Sequence, residues 1–278
     1  MLRFLTAGES HGPALTAILE GMPAGLRLTA EDVNLQLRRR QKGFGSGGRM
    51  RIERDQVRFT GGLLNGLTTG APIGIEIENR DFANWRDKEI RPMTIPRPGH
   101  ADLTGALKYG YRELRLALER ASARETAARV AAGAICRRLL GEFGISVGSY
   151  VMQIGEVSVS PADDLSYPDR FALAEESDVR CPDPAGTEAM RARIREAMAA
   201  KDTLGGVFEL VALGLPPGLG SHVHWDRRLD ARLMWAVGSI PAVKGVEVGP
   251  AFDNAARPGT QVHDEIFVQD GLLVRRTN

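Results

Sequence analysis

The spacing of apolar and polar positions changes period repeatedly along this chain, and each change marks an element. Residues 3–7 and 14–20 read as short strands on either side of the turn Gly8-Glu9-Ser10-His11-Gly12. Thr29-Ala30-Glu31-Asp32 has the make-up of a helix start, and its helix is expected to run to about Arg40. The loop Gly43-Phe44-Gly45-Ser46-Gly47-Gly48 then breaks it. Residues 49–54 and 56–60 read as hairpin strands, and 72–78 alternates with the period of a half-buried strand. Pro92, Pro96 and Pro98 make 80–100 a long surface loop. Helices are expected near 102–118 and 122–142, with Gly144 ending the second. A strand follows over 145–158, an irregular proline-rich stretch over 160–186, a helix over 187–201 and a strand over 207–213. Residues 226–238 form an amphipathic helix with Leu229, Leu233, Met234 and Val237 on one face. A strand at 243–248 and a hairpin at 262–276 complete the reading. Strands and helices mix without regular βαβ alternation, GxGxxG is absent, and no repeat has a fixed period.

Composition narrows the picture in a few places. The 278 residues suit one large domain or two small ones. A net charge of +1 gives no global field for nucleic acid or membrane, so any basic site must be a local cluster. Cys136 and Cys181 lack CxxC spacing, which argues against a disulfide framework or a zinc site. The N-terminus lacks signal-peptide organisation and no apolar run is long enough to span a bilayer, so the expected location is the cytoplasm.

Four constellations can carry chemistry. In Arg120-Ala121-Ser122-Ala123-Arg124-Glu125-Thr126, Ser122 can cap a helix while Glu125 reaches back, and the flanking arginines and free amides make an anion site. The alternative is an ordinary capped helix. His11 sits in a glycine-flanked turn where backbone can approach a ligand and a proton can move near neutral pH. Its neighbour Ser10 is not a nucleophile activated by it, because adjacent residues of an extended turn point opposite ways. Arg38-Arg39-Arg40-Gln41-Lys42, with Arg49, Arg51 and Arg54, is either a solvated helix end or a cradle for a small polyanion. Nucleic acid is the rival ligand, but only Phe44 interleaves with the cations. In Arg97-Pro98-Gly99-His100-Ala101-Asp102, Asp102 can cap the next helix or orient His100. His222, His224 and His263 lack partners at metal-ligand spacing.

Together these motifs resemble the chorismate synthase family. The resemblance rests on Gly-Glu-Ser-His-Gly at 8–12, Ile18-Leu19-Glu20-Gly21-Met22-Pro23, Arg-Arg-Gln at 39–41 and Arg-Pro-Gly-His-Ala-Asp at 97–102. It continues through Ser-Ala-Arg-Glu-Thr at 122–126, Arg-Val-Ala-Ala-Gly at 129–133 and Gly-Leu-Gly at 218–220. Trp-Asp-Arg-Arg-Leu-Asp-Ala at 225–231 and Ala-Val-Lys-Gly-Val-Glu at 242–247 extend it over the whole chain.

The resemblance implies an α+β fold, a βαβ sandwich with helices packed between antiparallel sheets, in a single domain over 1–278. It implies the anti 1,4-elimination of phosphate from 5-enolpyruvylshikimate-3-phosphate to give chorismate, with no net redox change but a need for reduced FMN. An external reductant is expected, with NADPH its candidate ultimate source, and the assembly is expected to be a homotetramer. The alternatives are a catalytically incomplete homologue and an anion- or nucleic-acid-binding module. By resemblance, His11 and His100 are catalytic, and Ser10, Arg40, Arg49, Arg97 and Arg124 meet the substrate. Arg40, Ser46, Arg120, Ala121, Ser122, Pro241 and Ala242 fall at flavin-contacting positions. Ser46 departs from the pattern, since the family commonly has Arg there. The family also continues past the point matched by Arg276 into a Lys-Pro loop for the FMN phosphate and an Arg-Ser-Asp signature, so the domain is expected to be C-terminally incomplete.

Overall fold

A computed structural model describes residues 2–47, 50, 52–162 and 164–276. The chain divides into two compact units, Met1–Leu215 and Pro216–Asn278. The first opens with β1 (Arg3–Ala7), β2 (Ala14–Glu20) and α1 (Ala30–Gln41), followed by β3 (Val57–Gly61). A short ladder of β4 (Leu63–Leu64) and β5 (Leu67–Thr68) leads into β6 (Ile73–Glu78). Three helices follow: α2 (Asp102–Tyr109), α3 (Arg115–Ala121) and α4 (Thr126–Gly141). The unit ends with β7 (Ser146–Ile154), β8 (Val157–Ser158), α5 (Tyr167–Glu176), α6 (Pro184–Ala200) and β9 (Gly206–Leu213).

Two antiparallel sheets, ordered β1-β2-β6-β3 and β8-β7-β9, frame the helices. On β2 and β6 every second residue turns inward: Leu15, Ala17 and Leu19 on one, Ile73, Ile75 and Ile77 on the other. That is the alternation of a sheet with one buried face. The face packs on Ala127, Ala128, Ala131 and Ile135 of α4, with Val33 and Leu37 of α1 completing the core. The alanines matter because a helix with such short side chains can lie close to the sheet. Helix α4 also touches β7, so it is sandwiched between the two sheets as the α+β expectation required.

Several local expectations needed correction. The helix expected over 102–118 is two helices, because Gly110 takes the left-handed conformation (φ +70°) that ends α2. The stretch 160–186 is not irregular: Ser166 accepts the Asp169 N–H as the cap of α5, and Pro168 sits in the first turn, where a proline loses no helical bond. Asp183 caps α6 in the same way, so that helix starts at Pro184. Residues 52–56 are not strand, and β3 pairs with β6 rather than with them; Arg49 and Arg51 lie outside the described residues.

The second unit contains α7 (Leu229–Gly238), α8 (Ala251–Asn254) and the hairpin of β10 (Ile266–Gln269) and β11 (Leu272–Arg275). The hairpin matches expectation. The strand at 243–248 does not form, since no described strand pairs with it. Among the described residues no helix is long and apolar enough to cross a membrane.

Tyr150, almost wholly buried on β7, bonds Glu209 and Arg170, and burial together with the Glu209 carboxylate pushes its hydroxyl pKa up to about 12. On the same strand a Cβ at Gly148 would stand 2.3 Å from the Phe171 ring of α5. Gly148→Ala is therefore expected to destabilise the protein by roughly 1–3 kcal/mol through overpacking. Denaturant unfolding measures this, and an unchanged midpoint would show that the ring slides aside.

Candidate active site

The turn between β1 and β2 is shaped by Gly8, whose φ is +109° and where a Cβ would stand 2.5 Å from the Ala14 carbonyl oxygen, leaving no space for a side chain. It presents Ser10 and His11 to the end of α3. The Ser10 N–H donates to the Glu119 carbonyl (3.1 Å) and the His11 N–H to the Glu119 Oε2 (2.8 Å). His11 Nδ1 lies 2.9 Å from Glu119 Oε1. A carboxylate only accepts, so Nδ1 carries the proton and Nε2 is left for other work. The imidazole packs on Trp85 at 4.3 Å between centroids, and the Trp85 indole N–H is held by Asp81 at 3.0 Å. Arg115 lies over the same indole and reaches Glu119 Oε1 at 3.0 Å.

Behind the turn is a buried polar network. Arg124, with a side chain only 4% exposed, donates to both oxygens of the buried Asp55 (2.7 and 2.9 Å) and to Asn79 Oδ1 (2.8 Å). Glu53 lies 3.7 Å from the same guanidinium. Asn79 turns its other end to the glycine turn, donating from Nδ2 to the Glu9 and Gly12 carbonyls (3.2 and 2.8 Å). Gln41 secures the Asp55 segment by donating to the Glu53 carbonyl and accepting the Asp55 N–H. Arg40 reaches Thr126 Oγ1 (3.0 Å), the Ala123 carbonyl (3.2 Å) and Asp55 (3.4 Å). Ser122 donates to Ser10 Oγ at 3.0 Å. Ser10, His11, Arg40, Ser122 and Arg124, separated widely in sequence, are thus linked through one network.

The expected capping box forms only in half. Ser122 Oγ accepts the Arg124 N–H at 3.3 Å, opening a 3-10 turn over Ala123–Glu125 that runs into α4. Glu125 does not reach back, because its carboxylate accepts from Thr6 Oγ1 (2.7 Å) and pairs with Arg129 (2.9 Å). Arg120, largely exposed, donates from one nitrogen to the Thr6 carbonyl and hydroxyl (2.9 and 2.8 Å), and Ala121 beside it is exposed too. Of the basic run, Arg38 pairs with Glu31, Arg39 with Glu175 and Arg40 with Asp55, so these three charges are answered by carboxylates. Burial would raise the Glu175 carboxyl, but bonds from Arg180 and Arg39 carry it down to about 2.

Among the described residues, no hydrogen bond ties Arg97, His100 or Ser46 to this network. Asp102 does not orient His100: its buried carboxylate takes both the N–H and the guanidinium of Arg97 (3.0, 2.8 and 2.9 Å). Those bonds, chiefly the one from the guanidinium, lower its pKa to about 2. His100 is exposed, with Nδ1 donating to the Pro98 carbonyl at 2.8 Å and Nε2 directed away from it. Among the described residues no hydrogen bond joins His100 to the His11 turn. Ser46 is exposed in the glycine loop, and Arg49 lies outside the described residues. Pro241 and Ala242 belong to the second unit, in the turn after α7, where Ala242 has φ +71°.

A family model described as chorismate synthase matches residues 2–278. The chorismate synthase of Aquifex aeolicus is 52% identical over 97% of this chain and 72% of its own length. The chain belongs to the chorismate synthase family. The enzyme of that name from Pelobacter propionicus is 55% identical over 96% of this chain and 70% of its own, and that of Geobacillus kaustophilus is 52% identical over all of this chain and 74% of its own. A solved structure titled "Crystal Structure of Chorismate Synthase" superposes with a TM-score of 0.86 at 47% identity, over 100% of this chain and 78% of that one. Chorismate synthesis, a lyase reaction of aromatic amino-acid biosynthesis, is accordingly the function of this chain, which spans about 70–74% of the length of these curated relatives.

Sequence reasoning did not find Glu119, Trp85, Asp55 or Asn79. Glu119 looks like half of an ordinary helical pair with Arg115, four residues earlier, and nothing local shows that its other partner is 108 positions away.

Two measurements check the electrostatics. Asp55→Asn leaves the buried Arg124 charge undercompensated and is expected to cost roughly 3–5 kcal/mol in denaturant unfolding. Asp102 has a lowered pKa, so its contribution is present above the ordinary aspartate pKa and is lost as pH falls through about 2. Asp102→Asn should therefore be less stable than the parent at pH 7, with the gap closing between about pH 4 and pH 2. A gap independent of pH would show that the ion pair contributes nothing.

Proposed function

We propose that this chain eliminates phosphate from 5-enolpyruvylshikimate-3-phosphate at the site centred on His11, in the presence of reduced FMN and as a cytoplasmic homotetramer. NADPH is the ultimate source of the reducing electrons, delivered by a separate reductant. The observation that carries the reading is the single network that holds His11, Ser10, Ser122, Arg40 and Arg124 together.

The substrate carries two carboxylates and a phosphate, so the site must supply local cations in a chain of almost no net charge. The residues present are chemically suited to the flavin as well: Arg120 keeps an exposed guanidinium edge, Ala121 adds no bulk, and Ser122 offers a hydroxyl at a helix start. These three would hold the cofactor, with Arg40 and Ser46 of the same unit as further contacts. When bound, reduced FMN supplies transient electron density and a base for the C6 proton.

The protein's own work is charge handling. The C3–O bond breaks, the C6 proton is lost and a double bond forms, so phosphate departs with added negative charge. His11, protonated, donates from Nε2 to a phosphate oxygen as a general acid. Ser10 can donate to the substrate alongside it. Arg97 offers the guanidinium edge that Asp102 does not take, and Arg40 and Arg49 add positive charge. Arg124 contributes its charge from behind the turn, since its nitrogens are committed to Asp55, Asn79 and the Glu78 carbonyl. His100, exposed and with Nδ1 on the Pro98 carbonyl, would use its other ring nitrogen to stabilise negative charge on a reduced flavin. Self-association is supported by the apolar Val207, Phe208 and Leu210, about half exposed on the edge strand β9.

The test is anaerobic phosphate release from 5-enolpyruvylshikimate-3-phosphate with chemically reduced FMN. His11→Ala and His100→Ala are each expected to lower turnover roughly 100- to 10,000-fold. Near-parental turnover in both would sink the residue assignment.

A further inference from the structure

We infer that Glu119 is a positioning residue for turnover, fixing the orientation and tautomer of the His11 imidazole. The inference rests on the assignment of His11 as the proton donor, and adds what makes that donor competent.

The geometry is specific. Glu119 uses both carboxylate oxygens on the same histidine, Oε2 on its backbone N–H at 2.8 Å and Oε1 on its ring Nδ1 at 2.9 Å. Its own carbonyl takes the preceding N–H, from Ser10, at 3.1 Å. One residue thus holds the turn at three points: the Ser10 N–H, the His11 N–H and the His11 ring. The ring's remaining freedom is rotation, and the Trp85 indole 4.3 Å away closes one side of it. Trp85 is itself anchored through Asp81. Arg115 grips Glu119 Oε1 at 3.0 Å while stacking on Trp85, so the wall and the carboxylate are braced by the same guanidinium.

Two consequences follow for proton transfer. A carboxylate accepts and cannot donate, so Nδ1–H is enforced and Nε2 is the atom presented for the transferable proton. The same bond, with the Trp85 wall, also fixes the rotation of the ring, so Nε2 keeps one direction. Neither effect needs Glu119 to touch the substrate, which separates its role from that of His11. In serine hydrolases a carboxylate bonded to the far nitrogen of a catalytic histidine acts in the same manner.

Glu119→Gln keeps the shape but leaves one accepting oxygen where three donors converge, from the His11 backbone, the His11 ring and Arg115. Its kcat is expected to fall roughly 10- to 100-fold, the usual consequence of removing such an orienting partner, with KM for the substrate nearly unchanged. A structural lesion would instead lower the fraction of folded enzyme, so active-site titration is run alongside. The second readout needs no turnover: nitrogen-15 NMR of histidine-labelled parent protein, with His11 identified from the spectrum of His11→Ala. The parent should show neutral His11 with its proton on Nδ1, and Glu119→Gln should lose that preference. A parent His11 carrying its proton on Nε2 overturns the inference, as does parental kcat in Glu119→Gln. If His11→Ala itself turns over normally, the assignment of His11 falls. The NMR result then still reports whether Glu119 sets the tautomer.

Discussion

The site depends on one buried cation being fully answered. Arg124 is almost wholly removed from water, and an arginine in that position is tolerable only if its charge and its donors are satisfied. Asp55 supplies the counter-charge, and Asn79 and the Glu78 carbonyl take further donors. The arrangement passes its order outward. Because Asn79 Oδ1 is occupied by Arg124, its amide nitrogen must face the carbonyls of the glycine turn, and the turn is clamped from within. From there Ser10 meets Ser122, and His11 meets Glu119. The charge that looks like a ligand contact in the sequence is also the keystone of the scaffold.

The frame was easiest to read where local chemistry and tertiary demand agree. The period-two alternation of β2 and β6 and the Thr29 cap of α1 announce themselves within a few residues. Prolines misled at 160–186, because Pro168 and Pro184 open helices there and do not interrupt them. At 102–118 the glycine that splits the helix lies inside an otherwise helical pattern. The candidate site was legible for its cations and its histidines, since these residue types stand out in motifs. Its anions were not. Asp55 lies 69 positions from Arg124 and Glu119 lies 108 from His11, and pairings over such separations leave no periodic trace. Asp102 is a different case: it neither caps α2 nor orients His100, the two roles its motif suggests, but bonds Arg97 only five positions away.

The sandwich and the site use different materials for the same purpose. Between the sheets, alanines on α4 let layers approach closely and nothing polar is required. At the edge of that core, where the sheet's loops meet the starts of helices, closeness brings carbonyls and amides together, and each must be paired. Side chains such as Asn79 and Gln41, which donate and accept at once, do this by bridging backbone to ion pair. Chemistry placed there inherits rigidity from the packing below it.

The span of the Asp55–Arg124–Asn79 network has a bearing on how the protein reaches its working state. Its members come from the segment before β3, the end of β6 and the start of α4, and the turn they clamp lies between the first two strands. None of these pieces can complete the arrangement while another is missing. Contacts of such sequence separation form only after long loops have been closed against their entropy. The glycine turn therefore matures late, with the core and not before it. A partly assembled chain would expose a histidine without its carboxylate and an arginine without its aspartate, so competence for catalysis arrives together with cooperative folding of the whole first unit.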